Sequence, residues 1–459
     1  MALTDFSHVL DNIPDYREYM NVDELNRGSE ALAREHPATV KILDLGKSSD
    51  GDPIRCLRIG EGKYNALTYG FPNPEEPVGG MAIDCLSRSL AENKSLLREM
   101  DYTWYFIKCI DPDGARLNQG FLKGPLTPMN FAKNYYRAPE HLTGEENFPF
   151  RYGETDFNHP LPETKALMKL LDQTRFDLIS SLHNMKWGGI TYQVSEPCPE
   201  LYPSLQNLTK TFRLEPRKRL GTMLAPAVQL AEYFTPVRNY VRAKAAGKGP
   251  LQEITGAYVY EYALLSNPNV FMFVPECCLW HDMRCWDDRP SDKSMVDVLE
   301  YSSRVGSETN RFMLSLYDKA EPYLKQPSPL LEMIRRIMGE IRRPTVNVLD
   351  PDPELNTERL KRPATIAEKC ETEGRADIYR LFNLGAMIRM FDYQLAKGGD
   401  GKAVLQACKA DGMNRLDEWN NELAKKHDCQ AHPIRNLVGG CVGGILASAE
   451  YLKWKKWRG

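Results

Sequence analysis

Between Val40 and Val274 the chain alternates short apolar runs of β type with stretches whose apolar residues recur at helical spacing, and this alternation leaves few folds open. The runs are Val40-Lys-Ile-Leu-Asp-Leu, Ile54-Arg-Cys-Leu-Arg-Ile, Asn65-Ala-Leu-Thr-Tyr, Trp104 to Ile110, Phe176 to Leu182 and Val270 to Val274. Ser48-Ser-Asp-Gly-Asp-Pro, between the first two, is a hairpin-type turn signal. Pro162 to Thr174 carries Ala166, Leu167, Leu170 and Leu171 on one helical face. Strands alternating with helices predict an α/β domain on a mixed, mostly parallel, twisted sheet flanked by helices.

At 459 residues the chain exceeds what one core usually holds, so a large domain with a smaller companion is expected. The texture divides it into a helical lead-in (1–35), an α/β domain (36–340), a linker or crossover rich in proline and charge (341–365) and a C-terminal helical subdomain (366–459). A net charge of -3 gives no electrostatic footprint for nucleic acid. The start has no basic head and apolar run of a secretory signal, and the eleven scattered cysteines form no disulfide framework. Reduced thiols and a cytoplasmic location are the expectation. Leu437 to Ala449 is too short and glycine-rich to span a bilayer and reads as a tightly packed helix.

Four polar segments stand at the ends of the apolar runs. Gly70-Phe-Pro-Asn73-Pro-Glu75-Glu76-Pro-Val-Gly79 is a strand-to-helix elbow, followed by a helical pattern through Met81, Cys85, Leu86 and Leu90. Ile110-Asp-Pro-Asp-Gly-Ala-Arg116-Leu-Asn118 is a turn after a strand. Asp177-Leu-Ile-Ser-Ser-Leu-His183 ends an apolar run in an imidazole, and Phe271-Met-Phe-Val-Pro-Glu276 ends another in a carboxylate. Open α/β sheets bind ligands at the carboxyl ends of their strands, so these groups are expected to share one crevice.

This ordered series, with Pro160-Leu-Pro-Glu-Thr164, resembles the zinc carboxypeptidases, closest to an intracellular microbial-type branch. The resemblance implies a phosphorylase/hydrolase-type sheet and a metallopeptidase that cleaves an amide bond in a small peptide or N-acyl amino acid with a free carboxylate. It implies Zn2+ on Glu76, His183 and the residue at 73, with Glu276 as general base. Arg137 or Arg116 would grip the substrate carboxylate, with Asn134 beside it and Tyr260 as the substrate-capping tyrosine. The departure is Asn73, which stands where the family places a ligand His. An amide oxygen is a harder and weaker donor than imidazole, so the site holds zinc less tightly, takes a harder metal, or holds none. The alternative reading follows: a carboxypeptidase-like protein that binds a small carboxylate, or performs metal-free acid/base chemistry on it.

The simpler readings of the same residues are a helix N-terminal carboxylate for Glu76, a hydrogen-bonded strand histidine for His183 and surface ion pairs for the arginines. Glu75 adjoins Glu76 and could supply a carboxylate, although two neighbouring residues rarely both point inward. Tyr258, Tyr260 and Tyr262 at period two predict a strand or its edge. Cys277, Cys278, His281 and Cys285 include zinc-type donors, but no partner pair completes a site, and buried free thiols are the plain expectation.

Overall fold

The computed structural model describes residues 6–217, 223–231, 234–245, 254–343 and 360–458. Its sheet strands are β1 (Val40–Lys47), β2 (Pro53–Ile59), β3 (Tyr64–Gly70), β4 (Tyr102–Ile107), β5 (Leu178–Trp187), β6 (Ile190–Val194), β7 (Met223–Ala225), β8 (Val228–Leu230), β9 (Phe271–His281) and β10 (Gln430–Ala431). They form one ten-stranded sheet in the order β1-β2-β4-β3-β5-β9-β6-β8-β7, with β10 pairing β9. The centre, β4-β3-β5-β9, is parallel, and antiparallel pairs flank it at β1-β2-β4 and at β9-β6. The expected α/β class holds, with more antiparallel pairing at the flanks than a mostly parallel sheet implies.

Helices cover both faces. Helix α1 (Val22–Glu35), in the expected lead-in, opens with a capping box in which Asn21 and Glu24 satisfy each other's backbone N–H groups. Helix α2 (Val78–Glu92) follows β3 through the elbow and is buried over most of its length. A Cβ on Gly79 would come within 2.8 Å of Leu182 Cβ, so glycine is what lets the first turn of α2 press onto β5. Pro162–Gln173 forms α3, as its periodicity predicts. Val259–Ser266 is helix α4, which corrects the strand expected from the three tyrosines: Tyr258 precedes the helix, and Tyr260 and Tyr262 lie within it. Its hydrophobic positions pack against α3 and the sheet, so tertiary burial overrides a period-two pattern of three residues.

The C-terminal region does not stand apart. Helices α5 (Met295–Ala320), α6 (Pro329–Arg342), α7 (Ile366–Lys397), α8 (Lys402–Lys426) and α9 (Ile434–Arg458) share one continuous apolar cluster with the sheet and α2. In α9, Leu437, Val438, Cys441, Val442, Ile445 and Leu446 are buried, consistent with the tight packing expected there. Most of the expected linker, residues 344–359, lies outside the described residues. Among the described residues no helix is long and apolar enough to cross a membrane.

Candidate active site

The elbow between β3 and α2 is shaped by its own backbone. Phe71 takes φ +53°, a left-handed conformation that a bulky residue adopts only under tertiary constraint, and its ring is buried. The Glu76 N–H donates to the Asn73 carbonyl at 3.1 Å, and the Val78 N–H donates to Asn184 Oδ1 on β5 at 3.0 Å. The turn thereby holds Asn73, Glu75 and Glu76 against β5, all buried. The two neighbouring glutamates are both buried and both face cations of the site, the rarer of the two arrangements open for Glu75.

His183 lies on β5 directly beside Glu276 on β9, and Thr191 on β6 completes the row. Both strands continue beyond these residues, so the two groups sit within their strands rather than at the ends. His183 Nδ1 donates to Glu76 Oε2 at 2.8 Å, and Nε2 donates to Glu145 Oε1 at 3.0 Å. A carboxylate can only accept, so both ring nitrogens carry protons and the ring is an imidazolium. Burial works against that charge, but Glu145 and Glu76 outweigh it and hold the His183 pKa well above its ordinary value. Glu145 Oε2 also accepts from Tyr69 Oη and Ser181 Oγ, each at 2.8 Å.

A second set of charges backs the elbow. Arg137 Nη1 lies 2.7 Å from Glu75 Oε1 and 3.4 Å from Glu76 Oε1. Lys186 Nζ lies 3.2 Å from Glu75 Oε1 and 3.6 Å from Glu76 Oε1. Burial pushes the Glu76 carboxyl upward, yet His183, Lys186 and Arg137 together bring it down to about 2. Three carboxylates thus meet three cations with no outside charge required.

Glu276 Oε1 accepts from Gln193 Nε2 at 3.0 Å. Arg217 is fully buried: its Nε donates to Glu371 Oε1 on α7 at 2.9 Å, while among the described residues neither Nη1 nor Nη2 has a hydrogen-bond partner. Burial opposes its charge, and Cys278, Glu371 and Glu276 favour it. Burial raises the pKa of Tyr379, also on α7, against the lowering effect of the charges of Lys186, Arg137 and Arg217.

The structure therefore brings Asn73, Glu76, His183 and Arg137 into contact, with Glu276 alongside. It does not bring in Arg116 or Asn134. Arg116 is held at the surface by Asp52 at 2.6 Å and Asp23 at 2.8 Å, and the Asn134 amide donates to the Asn130 carbonyl at 2.9 Å. Tyr260 is half-buried on α4 with its ring 5.9 Å from Phe234. Glu145, Lys186 and Arg217 escape the sequence reading. Strand alternation places Lys186 and His183 on opposite faces of β5, so their approach to one glutamate pair is set by the elbow.

A catalytic zinc takes three protein donors and keeps a position for water. Here Asn73 offers an amide, both His183 N–H groups are engaged by carboxylates, and the second oxygen of Glu76 already faces Lys186 and Arg137. A divalent cation would enter beside two fixed positive charges and would have to expel the imidazolium proton. The residues present do not fit a tightly held catalytic zinc.

Residues 26–225 match the family model of the zinc carboxypeptidases, a segment that contains the elbow and His183 but ends before Glu276. Carboxypeptidase SOL1 of Arabidopsis thaliana is 25% identical over 190 residues, which cover 38% of this chain and 36% of that protein. The chain thus spans just over a third of the length of this curated relative. Among solved structures, bovine thrombin-activatable fibrinolysis inhibitor in complex with tick carboxypeptidase inhibitor aligns with a TM-score of 0.38 at 14% identity, over 56% of this chain and 86% of that one. Carboxypeptidase A from Helicoverpa armigera aligns with a TM-score of 0.36 at 14% identity, over 56% of this chain and 64% of that one. The segment 26–225 is thus similar to the zinc carboxypeptidases, the family whose model it matches.

Proposed function

We propose that this carboxypeptidase-like protein binds a small carboxylate-bearing ligand, a short peptide or an amino-acid derivative, in a crevice whose zinc position has been taken over by the protein's own charges. The observation that carries this reading is the clamped His183, with Glu76 at 2.8 Å and Glu145 at 3.0 Å on its two nitrogens. Arg217 supplies the recognition element: two buried nitrogens in one plane, without partners among the described residues, match the two oxygens of a carboxylate. Leaving such groups unsatisfied costs about 1–3 kcal/mol, which a bound anion would recover. Glu276, oriented by Gln193, is the group available for proton transfer at the ligand.

Isothermal titration with a panel of N-acetyl amino acids and dipeptides tests the reading, alongside a hydrolysis assay with and without chelator. Binding lost in Arg217→Met, with no chelator-sensitive hydrolysis, supports it. Chelator-sensitive hydrolysis that disappears in Glu276→Gln contradicts it.

The second reading, metal-dependent amide hydrolysis, draws on one observation. The Asn73 amide and Glu76 Oε2 both lie within 3.1 Å of His183 Nδ1, with Glu145 behind Nε2 where a carboxylate commonly orients a metal-bound imidazole. Asn73→His then restores the family's donor set, and a gain of both zinc and carboxypeptidase activity would favour this reading.

A further inference from the structure

A different cluster, near the start of α7, has the donors that the crevice lacks. Cys370 near the start of α7, His427 after α8 and Asp282 after β9 each offer a ligand atom within 4.8 Å of the other two, and all three are buried. Cys285, in the short turn Met283–Trp286, places its Sγ 3.2 Å from Cys370 Sγ. The set of two thiols, one imidazole and one carboxylate is of the type that holds zinc tetrahedrally, with Zn–S of about 2.3 Å and Zn–N of about 2.0–2.1 Å.

Orientation points the same way. His427 Nε2 lies 3.2 Å from Asp377 Oδ2, and Asp377 is itself held by Tyr301 Oη at 2.8 Å and Arg380 Nη2 at 3.1 Å. A carboxylate behind one imidazole nitrogen fixes the ring and leaves the other nitrogen as donor. That other nitrogen, Nδ1, is buried and among the described residues has no hydrogen-bond partner. Trp187 Nε1 donates to the Cys370 carbonyl at 3.1 Å and fixes the turn that carries the thiol. Arg284 grips Asp282 and offsets the negative charge two thiolates would bring. A cavity of about 440 Å³, lined among others by Arg284, Lys369, Cys370, Lys426 and His427, gives an entry path.

We propose that Cys285, Cys370, His427 and Asp282 form a structural zinc site that pins α7 and the α8–β10 junction to the turn after β9. Cys278 and His281, its neighbours in sequence, are engaged elsewhere: Cys278 Sγ donates to the Trp187 carbonyl, and the His281 ring stacks on His432 at 4.0 Å. This proposal is independent of the crevice reading.

The test is elemental analysis of full-length protein purified under reducing conditions without chelator, with cobalt substitution of the wild type as a readout that needs no variant. The expected result is about one zinc per chain, falling at least fivefold in Cys370→Ser and in His427→Gln and unchanged in Glu76→Gln, with a thiolate-to-cobalt charge-transfer band in the cobalt form. Absence of metal from the wild type, a Cys285–Cys370 disulfide, or zinc that survives both variants overturns the proposal.

Discussion

Lys186 Nζ lies 3.2 Å from Glu75 Oε1, and both side chains are withdrawn from solvent. Removing one partner of a buried pair leaves the other charge uncompensated, at a cost of about 3–5 kcal/mol. Because Arg137 also reaches Glu75, Lys186→Met is expected at the low end, about 3 kcal/mol in urea unfolding. The double variant Lys186→Met/Glu75→Gln should recover more than half of that loss. A double variant no more stable than the single one would show that the pair is not the reason for the loss.

Arg217 is the proposed anchor for a ligand carboxylate. Losing a charge-assisted hydrogen-bond pair costs about 1.5–3 kcal/mol, so Arg217→Met should weaken binding of an N-acetyl amino acid about 10–100-fold by calorimetry. Arg217→Lys should not restore it, since an ammonium cannot reproduce the planar fork. Full affinity in Arg217→Lys would place the recognition elsewhere.

The sheet, the elbow and the helix after it were legible because their apolar periods are long and their turn residues strong. His183, Glu76 and Glu276 were legible as an ordered series at strand positions. Glu145, Lys186 and Arg217 were not, because each joins the crevice through contacts across 36 to 154 residues of chain, as in Glu145 with Ser181 and Arg217 with Glu371. The role of the C-terminal region was also hidden: no local pattern reveals that α7 brings Glu371 to within 2.9 Å of Arg217. Cys285 was seen as a donor, but its partners Cys370 and His427 are distant in sequence and carry no spacing signature.

The fit of α7 over β5 depends on Gly374, where a Cβ would lie 2.4 Å from the Trp187 ring. Alanine is favoured over glycine in a helix by about 1 kcal/mol, yet overpacking typically costs about 1–3 kcal/mol. Gly374→Ala should therefore be net destabilising, by about 1–2 kcal/mol in urea unfolding, whereas the open Gly306 of α5 should tolerate alanine or gain from it. A stabilised Gly374→Ala would contradict this packing.

Asp111, which accepts from the Gly114 N–H at 2.8 Å, is pushed from its ordinary value of 3.8 up to about 7 by burial, with Glu163, Asp113 and Glu75 adding to the rise. A carboxyl whose folded pKa is raised binds more protons folded than unfolded between those two values. Its contribution is therefore fully present below about pH 4 and is lost as pH rises through about 7, at up to about 1.4 kcal/mol per pH unit. Asp111→Asn keeps a side chain suited to capping and removes the titration. The variant should gain on the wild type between pH 4 and 7, seen in parallel thermal melts, and a constant difference across that range would refute the assignment.

In the proposed reading, charges of the protein itself (His183, Lys186 and Arg137 against Glu75, Glu76 and Glu145) stand where a zinc ion would otherwise bind. The zinc content of Cys370→Ser, purified without chelator, tests it most directly, because that variant lacks the proposed structural site but keeps Asn73, Glu76 and His183. Less than about 0.1 zinc per chain is expected at micromolar free zinc. Near-stoichiometric zinc in Cys370→Ser, removed by adding Glu76→Gln, would contradict it.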